Sequence, residues 1–113
     1  MKTLEEKILT EGKVLSGNVL KVGSFLNHQI DVPFLMEMGK EIARLYENTK
    51  ITKILTVESS GIAIAVAAAA FINVPVVFAK KAKTKNVEDN VYSAKVESFT
   101  HGKVFDIVVC KDY

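Results

Sequence analysis

Between an apolar run, Thr52 to Val57, and an alanine-rich run, Gly61 to Phe71, the chain inserts Glu58-Ser59-Ser60-Gly61, and a second apolar run, Pro75 to Ala79, follows. Alanine is the best helix former, and short β-branched runs suit buried parallel strands. Strand, tight turn, helix and strand make a βαβ unit, whose crossover should be right-handed. That unit restricts the fold class to α/β more strongly than any other feature of the sequence. The turn sits where the carboxyl end of a parallel strand meets a helix N-terminus, so free amides and the positive end of the helix dipole converge there. Phosphate or pyrophosphate is a natural guest of such a place. A helix start without a ligand is the equally open reading of these residues alone.

Two better-known turn chemistries are excluded by spacing. A nucleophile elbow needs glycine two residues before and after the serine, and neither Ser59 nor Ser60 has both. A Walker loop needs a spaced glycine and a Gly-Lys pair, and this turn has neither.

Around the unit, Thr3-Leu4-Glu5-Glu6 has capping-box form, which predicts a short first helix with Leu4 and Ile8 on one face and Gly12 as its stop. Val14 to Gln29 reads as irregular or short strands around Gly17 and Gly23. Asp31 is the expected N-cap of the next helix, with Pro33 in its first turn and Phe34, Leu35, Met38, Ile42, Leu45 and Tyr46 at helical spacing. Lys80 to Asn90 reads as an exposed polar loop, and Val91 to Thr100 with Val104 to Cys110 as a hairpin around His101-Gly102.

With 113 residues, 49% hydrophobic and 25% charged, the chain matches one folded domain rather than two or a disordered segment. Its net charge of +2 argues against bulk nucleic-acid binding. Its longest apolar run, Ile62 to Ile72, is too short for a bilayer span, and residues 1–11 lack the apolar core of a secretory signal. A single cysteine, Cys110, forbids an intrachain disulfide, and a cytoplasmic setting is expected.

Two further groups of residues bear on chemistry. Lys80, Lys81, Lys83 and Lys85 follow the second strand, at the edge of the sheet where the turn lies, and an ammonium there could pair with phosphate. The alternative is a solvated loop tip. In Leu20-Lys21-Val22-Gly23-Ser24-Phe25-Leu26-Asn27-His28-Gln29, Asn27 offers two donors and an acceptor suited to the polar edge of a heterocycle. His28 beside it invites an acid-base or metal role, but no Cys/His/carboxylate spacing supports zinc. Cys110 reads as a small strand residue without an activating neighbour.

Taken together, Leu15-Ser16 through Leu20-Lys21-Val22, Ser24-Phe25-Leu26-Asn27-His28-Gln29-Ile30-Asp31, Ile51-Thr52-Lys53-Ile54, Glu58-Ser59-Ser60-Gly61-Ile62-Ala63 and Val74-Pro75-Val76-Val77-Phe78-Ala79-Lys80-Lys81 closely resemble the bacterial xanthine phosphoribosyltransferases, of the type I phosphoribosyltransferase family. The resemblance implies an α/β domain of that type: an incomplete parallel sheet with flanking helices, an N-terminal helix and base-site hood over 1–30, and a core front half over 31–113 with a flexible loop at 80–90 and a hairpin after the βαβ unit. It implies a purine-salvage transferase in which a purine ring nitrogen displaces pyrophosphate from C1 of phosphoribosyl pyrophosphate (PRPP) with Mg2+, giving xanthosine monophosphate. Leu20 and Asn27 would face xanthine, Glu58, Ser59, Ser60 and Gly61 would form the pyrophosphate loop, and Lys80 and Lys81 would lie near the pyrophosphate, reaching across a homodimer interface. Family members are longer: they continue into a strand with paired aspartates and a small-residue loop for the ribose 5′-phosphate of PRPP. No such motif occurs between Met1 and Tyr113. The 113 residues are therefore expected to be a partial domain lacking about half of the family's active site, leaving an unpaired sheet edge and a bare apolar helix face. A non-catalytic purine- or anion-binding module, and a transferase for adenine, guanine or hypoxanthine, remain as alternatives. A phosphoribosyltransferase-like DNA-binding regulator would need a winged helix that the residues before Gly12 cannot build.

Overall fold

The computed structural model describes residues 1–82, 90–97 and 102–113. Its elements are α1 (Lys2–Glu11), β1 (Lys13–Leu15), β2 (Val19–Lys21), a wide helical turn over Gly23–Asn27, α2 (Val32–Leu45), β3 (Ile54–Val57), α3 (Ser60–Ile72), β4 (Val76–Ala82), β5 (Val91–Glu97) and β6 (Val104–Cys110).

The βαβ unit forms as read: β3 and β4 run parallel, with Ile54 opposite Val76 and Val57 opposite Ala79, and α3 joins them. Asn73 ends α3 in the left-handed conformation at φ 64°, donating its amide to the Ala69 carbonyl at 2.6 Å. The sheet as a whole is mixed rather than parallel. Its strand order is β3-β4-β6-β5, and both β4–β6 and β6–β5 are antiparallel. The expected hairpin is present as the β5–β6 pair, Val91 opposite Cys110 and Glu97 opposite Val104. Its turn at 98–101, His101 included, lies outside the described residues, as do 83–89 of the proposed loop. Lys80 to Ala82 do not belong to a loop: they extend β4, because β6 offers Val108, Ile107 and Asp106 as ladder partners.

Two strands read as fully buried are not. In β3 the half-buried positions are Ile54 and Thr56, while Leu55 is 65% and Val57 40% exposed. Phe78 in β4 is 39% exposed. Ile54 and Thr56 face Ile64, Ala65 and Ala68 of α3 across a shared cavity. Among the described residues helices cover β3 on that side only, so the alternate side chains stay in solvent. Together with Val66 and Phe71 of α3, both about half exposed, they match the bare apolar surface anticipated from sequence.

The N-terminal part differs in detail from its reading. Thr3 lies inside α1 and caps nothing; Met1 is the N-cap residue. Gly12 ends α1 with φ −73°, so its role is close approach rather than left-handed backbone: a Cβ there would stand 2.5 Å from the Ile8 carbonyl oxygen. β1 and β2 form a small hairpin whose turn uses positive φ at Gly17 and Asn18. The following segment, read as non-helical, closes a wide turn in which the Leu26 amide donates to the Val22 carbonyl at 3.0 Å and the Gln29 amide to the Gly23 carbonyl at 2.8 Å. That turn swings Phe25 inward.

Phe25 is 1% exposed and meets Phe34 edge-on at 5.9 Å and 76°. Burial of one such ring contributes roughly 1.5–3 kcal/mol. Around it Phe34, Leu35, Met38 and Ala67 are buried, with Leu4, Ile8, Val22, Leu26, Ala63 and Ile64 packed against them. Asp31 caps α2 as expected, accepting the Phe34 amide at 3.1 Å. Its other oxygen accepts from Lys7 Nζ at 2.7 Å, and Lys7 also meets Glu11 at 2.8 Å and lies 5.5 Å from the centre of the Phe34 ring. α1 is thereby fastened to the head of α2.

Gly39 sets how closely α2 and α3 cross. A Cβ there would stand 2.5 Å from the Ala67 carbonyl carbon and 2.8 Å from its Cβ. Gly39→Ala should therefore destabilise the protein by about 1–3 kcal/mol through overpacking, against a gain of about 1 kcal/mol for the same change in an unobstructed helix. Urea unfolding reads the sign directly.

The Lys7–Asp31 contact predicts a pH dependence. Hydrogen bonding from Lys7, and then from the Phe34 amide, holds the Asp31 carboxyl below its usual range. The same bond to Asp31, then that to Glu11, raises Lys7. A depressed carboxyl pKa stabilises the fold above its ordinary value and loses that contribution as pH falls through the folded value; the raised lysine loses its own on the alkaline side. Lys7→Met should therefore lower Tm near pH 7, and its difference from wild type should shrink as pH is taken down to about 3. A difference that is constant across this range would exclude the ion pair as its source.

Candidate functional site

The turn at the carboxyl end of β3 is held at two points by β4, its neighbour in the sheet. The Glu58 amide donates to the Ala79 carbonyl at 3.0 Å, continuing the ladder one step past Val57. The Glu58 carboxylate then accepts the Lys81 amide. The Glu58–Ser59 peptide is cis. Ser59 is the N-cap position of α3, but its hydroxyl does not cap; the Ile62 amide closes instead on the Ser59 carbonyl at 3.2 Å. Ser59 and Ser60 are exposed. Among the described residues, no group takes the amides of Ser59, Ser60 and Gly61 or the two serine hydroxyls. Such a cluster of donors at the positive end of a four-turn helix can stabilise an anion.

Gly61 is required by packing. A side chain there would overlap Thr56 Oγ1, on the strand beneath. Thr56 was not singled out from sequence, although a lone hydroxyl inside Ile54-Leu55-Thr56-Val57 is the signal that could have marked it.

Leu20 and Asn27 come together. Both line a cleft of about 770 Å³ between the β1–β2 hairpin and the wide turn, with Val22, Ser24, His28 and Gln29. Leu20 is 44% exposed at its wall. Asn27 is exposed, and among the described residues no protein group hydrogen-bonds its amide. The exposed Gln29 side chain donates to the Ser24 carbonyl at 3.0 Å. His28 shares the cleft with Asn27.

Lys80 and Lys81 lie elsewhere, along a third cleft of about 700 Å³ that also includes Lys53, Phe78, Cys110 and Tyr113. The Lys81 ammonium stands 5.3 Å from the centre of the Phe105 ring, a cation–π contact. The main chain of Lys81, rather than its ammonium, joins it to the turn. Lys83 and Lys85 lie outside the described residues. Cys110 is half-buried, with Asn90 Nδ2 at 3.9 Å from its sulfur. Leu20 and Asn27 on one hand and the turn at Glu58 to Gly61 on the other thus occupy separate surfaces. They share one foundation: Phe25 and Leu26 precede Asn27, Ala63 and Ile64 follow Gly61, and all four meet in the same core cluster.

Among the described residues no three His, Cys, Asp or Glu side chains converge as metal ligands. No helix among them is long and apolar enough to cross a membrane.

No family model matches the chain. The xanthine phosphoribosyltransferase of Lachnoclostridium phytofermentans is 55% identical over all 113 residues, which span 58% of that protein. That of Clostridium novyi is 54% identical over the same residues, 60% of its length. The crystal structure of APRTase from Giardia lamblia complexed with 9-deazaadenine has a TM-score of 0.72, covering 96% of this chain and 60% of that one at 18% identity. Adenine phosphoribosyltransferase from Saccharomyces cerevisiae gives 0.66 over 99% of this chain and 65% of that one, also at 18% identity. The chain therefore has the type I phosphoribosyltransferase fold and is, over its whole length, a relative of part of the bacterial xanthine phosphoribosyltransferases.

The contact of Gly61 with Thr56 makes a paired prediction. Gly61→Ala should lower stability by about 1–3 kcal/mol, and Thr56→Ala, which removes the obstructing oxygen, should recover part of that loss in the double variant. Denaturant unfolding of the four proteins of the cycle measures the coupling; strict additivity would mean that the two residues do not press on each other.

Proposed function

We propose that the 113 residues supply the base-facing and pyrophosphate-facing parts of a xanthine phosphoribosyltransferase acting in purine salvage. The observation that carries the reading is identity of 50–55% over the whole chain to proteins of that name. A cleft lined by Leu20 and Asn27 and an exposed turn of free donors, resting on one core, support it. In the reaction a purine ring nitrogen forms a bond to C1 of PRPP while the bond from C1 to the pyrophosphate oxygen breaks. Positive charge develops at C1 and negative charge on the departing pyrophosphate.

Asn27 can present donors and an acceptor to the oxo and N–H edge of xanthine, and Leu20 an apolar wall to its ring. The amides of Ser59, Ser60 and Gly61, with the hydroxyls of Ser59 and Ser60, are fixed donors for pyrophosphate, strengthened by the α3 dipole. Glu58 shapes that turn. Lys80 and Lys81 add positive charge along the adjoining strand, and in a homodimer they could serve the partner's pyrophosphate. Magnesium enters with PRPP as a companion of its phosphates, since magnesium keeps most of its ligands from water and phosphate. No residue of this chain is assigned to it. A cytoplasmic enzyme forming xanthosine monophosphate fits these substrates.

Xanthine binding tests the reading on the chain itself. Titration calorimetry should show xanthine binding that Asn27→Ala weakens by about tenfold, the equivalent of one or two hydrogen bonds. Adenine should bind less tightly than xanthine, because it lacks the two oxo acceptors that the donors of the Asn27 amide would meet. Equal affinity for both bases would favour another purine as the substrate.

A further inference from the structure

The position of Glu58 is paradoxical if the turn binds pyrophosphate, because a carboxylate beside a diphosphate repels it. The hydrogen-bond pattern supplies a reason. In a continuing parallel ladder the Lys81 amide would donate to the main-chain carbonyl of Glu58, one step beyond the bond from the Glu58 amide to the Ala79 carbonyl. β3 stops at Val57, whereas β4 runs on to Ala82. At that point the Glu58 side chain takes the place of its own carbonyl and accepts the Lys81 amide.

We propose that Glu58 is a positioning residue for the pyrophosphate turn. By satisfying the Lys81 amide with its carboxylate it releases its main-chain carbonyl from the ladder, while its amide stays bonded to Ala79, so that Ser59, Ser60 and Gly61 turn their amides away from the ladder and toward the anion. This inference rests on the pyrophosphate reading given above. The carboxylate acts through hydrogen-bond geometry, and its charge opposes the ligand. A neutral acceptor of the same length should therefore serve better than the native residue, and a side chain with no acceptor should serve badly.

The test is calorimetric titration of the 113-residue chain with magnesium pyrophosphate, with Tm recorded for each variant. Glu58→Ala is expected to weaken binding by about tenfold. Glu58→Gln is expected to bind at least as tightly as wild type. A purely structural role would lower Tm in both variants and leave affinity unchanged. If wild type binds and a folded Glu58→Ala binds equally well, the positioning role is overturned while the pyrophosphate site stands. Should Glu58→Ala fail to fold, Glu58→Gln decides: weaker binding than wild type overturns the proposal, and equal or tighter binding upholds it. Folded wild-type protein that does not bind magnesium pyrophosphate overturns both readings together.

Discussion

Gly39 and Ala67 let α2 and α3 cross with almost no side chain between them, and the positions of both candidate sites follow from that approach. With the helices this close, Phe34, Leu35 and Met38 of α2 and Ala63, Ile64 and Ala67 of α3 close around the Phe25 ring as one cluster. Phe25 belongs to the segment that carries Asn27, and Ala63 lies two residues beyond Gly61. A displacement of the helices by one methyl group would therefore move the hood and the turn relative to each other. Close-packed interiors transmit such displacements rather than absorb them.

The turn itself is positioned by a second constraint of similar kind. Gly61 lies against Thr56 Oγ1, which keeps the start of α3 down on β3. Glu58 ties the same few residues sideways to β4 through its amide and its carboxylate. Ser59, Ser60 and Gly61 are thus held from below and from the side, with their amides fixed in place. Preorganised donors of that kind stabilise charge without reorganisation during reaction. The hood is held differently, by the Lys7–Asp31 ion pair and the cap of α2, both of which are partly exposed and depend on ionisation.

How much of this was legible depended on the range of the interaction. The βαβ unit, the Asp31 cap and the β5–β6 pairing are encoded by residues near each other in sequence, and each is found. Thr3 shows the limit of such signals: its capping-box spacing is correct, yet α1 starts ahead of it, at Lys2. Lys80 to Ala82 look like loop because two lysines are polar, but an antiparallel partner from β6, about 26 positions away, makes them strand. The segment 23–27 lacks a helical pattern, and it coils only because Phe25 is drawn into a core that α2 and α3 create.

Residue chemistry and short-range spacing determined the fold class, the place of the turn between β3 and α3 and the choice of Asn27, Glu58, Ser59, Ser60, Gly61, Lys80 and Lys81 as residues to examine, while Leu20 came from the family resemblance. Folding decided what each of them can reach. It brought Leu20 to Asn27 in one cleft, gave Glu58 to the Lys81 amide, and placed the lysine side chains on a surface apart from that cleft. The division has a physical cause. Turn and helix propensities are set within a few residues, whereas the partner of a hydrogen bond or the occupant of a close contact depends on which distant segments the core brings together.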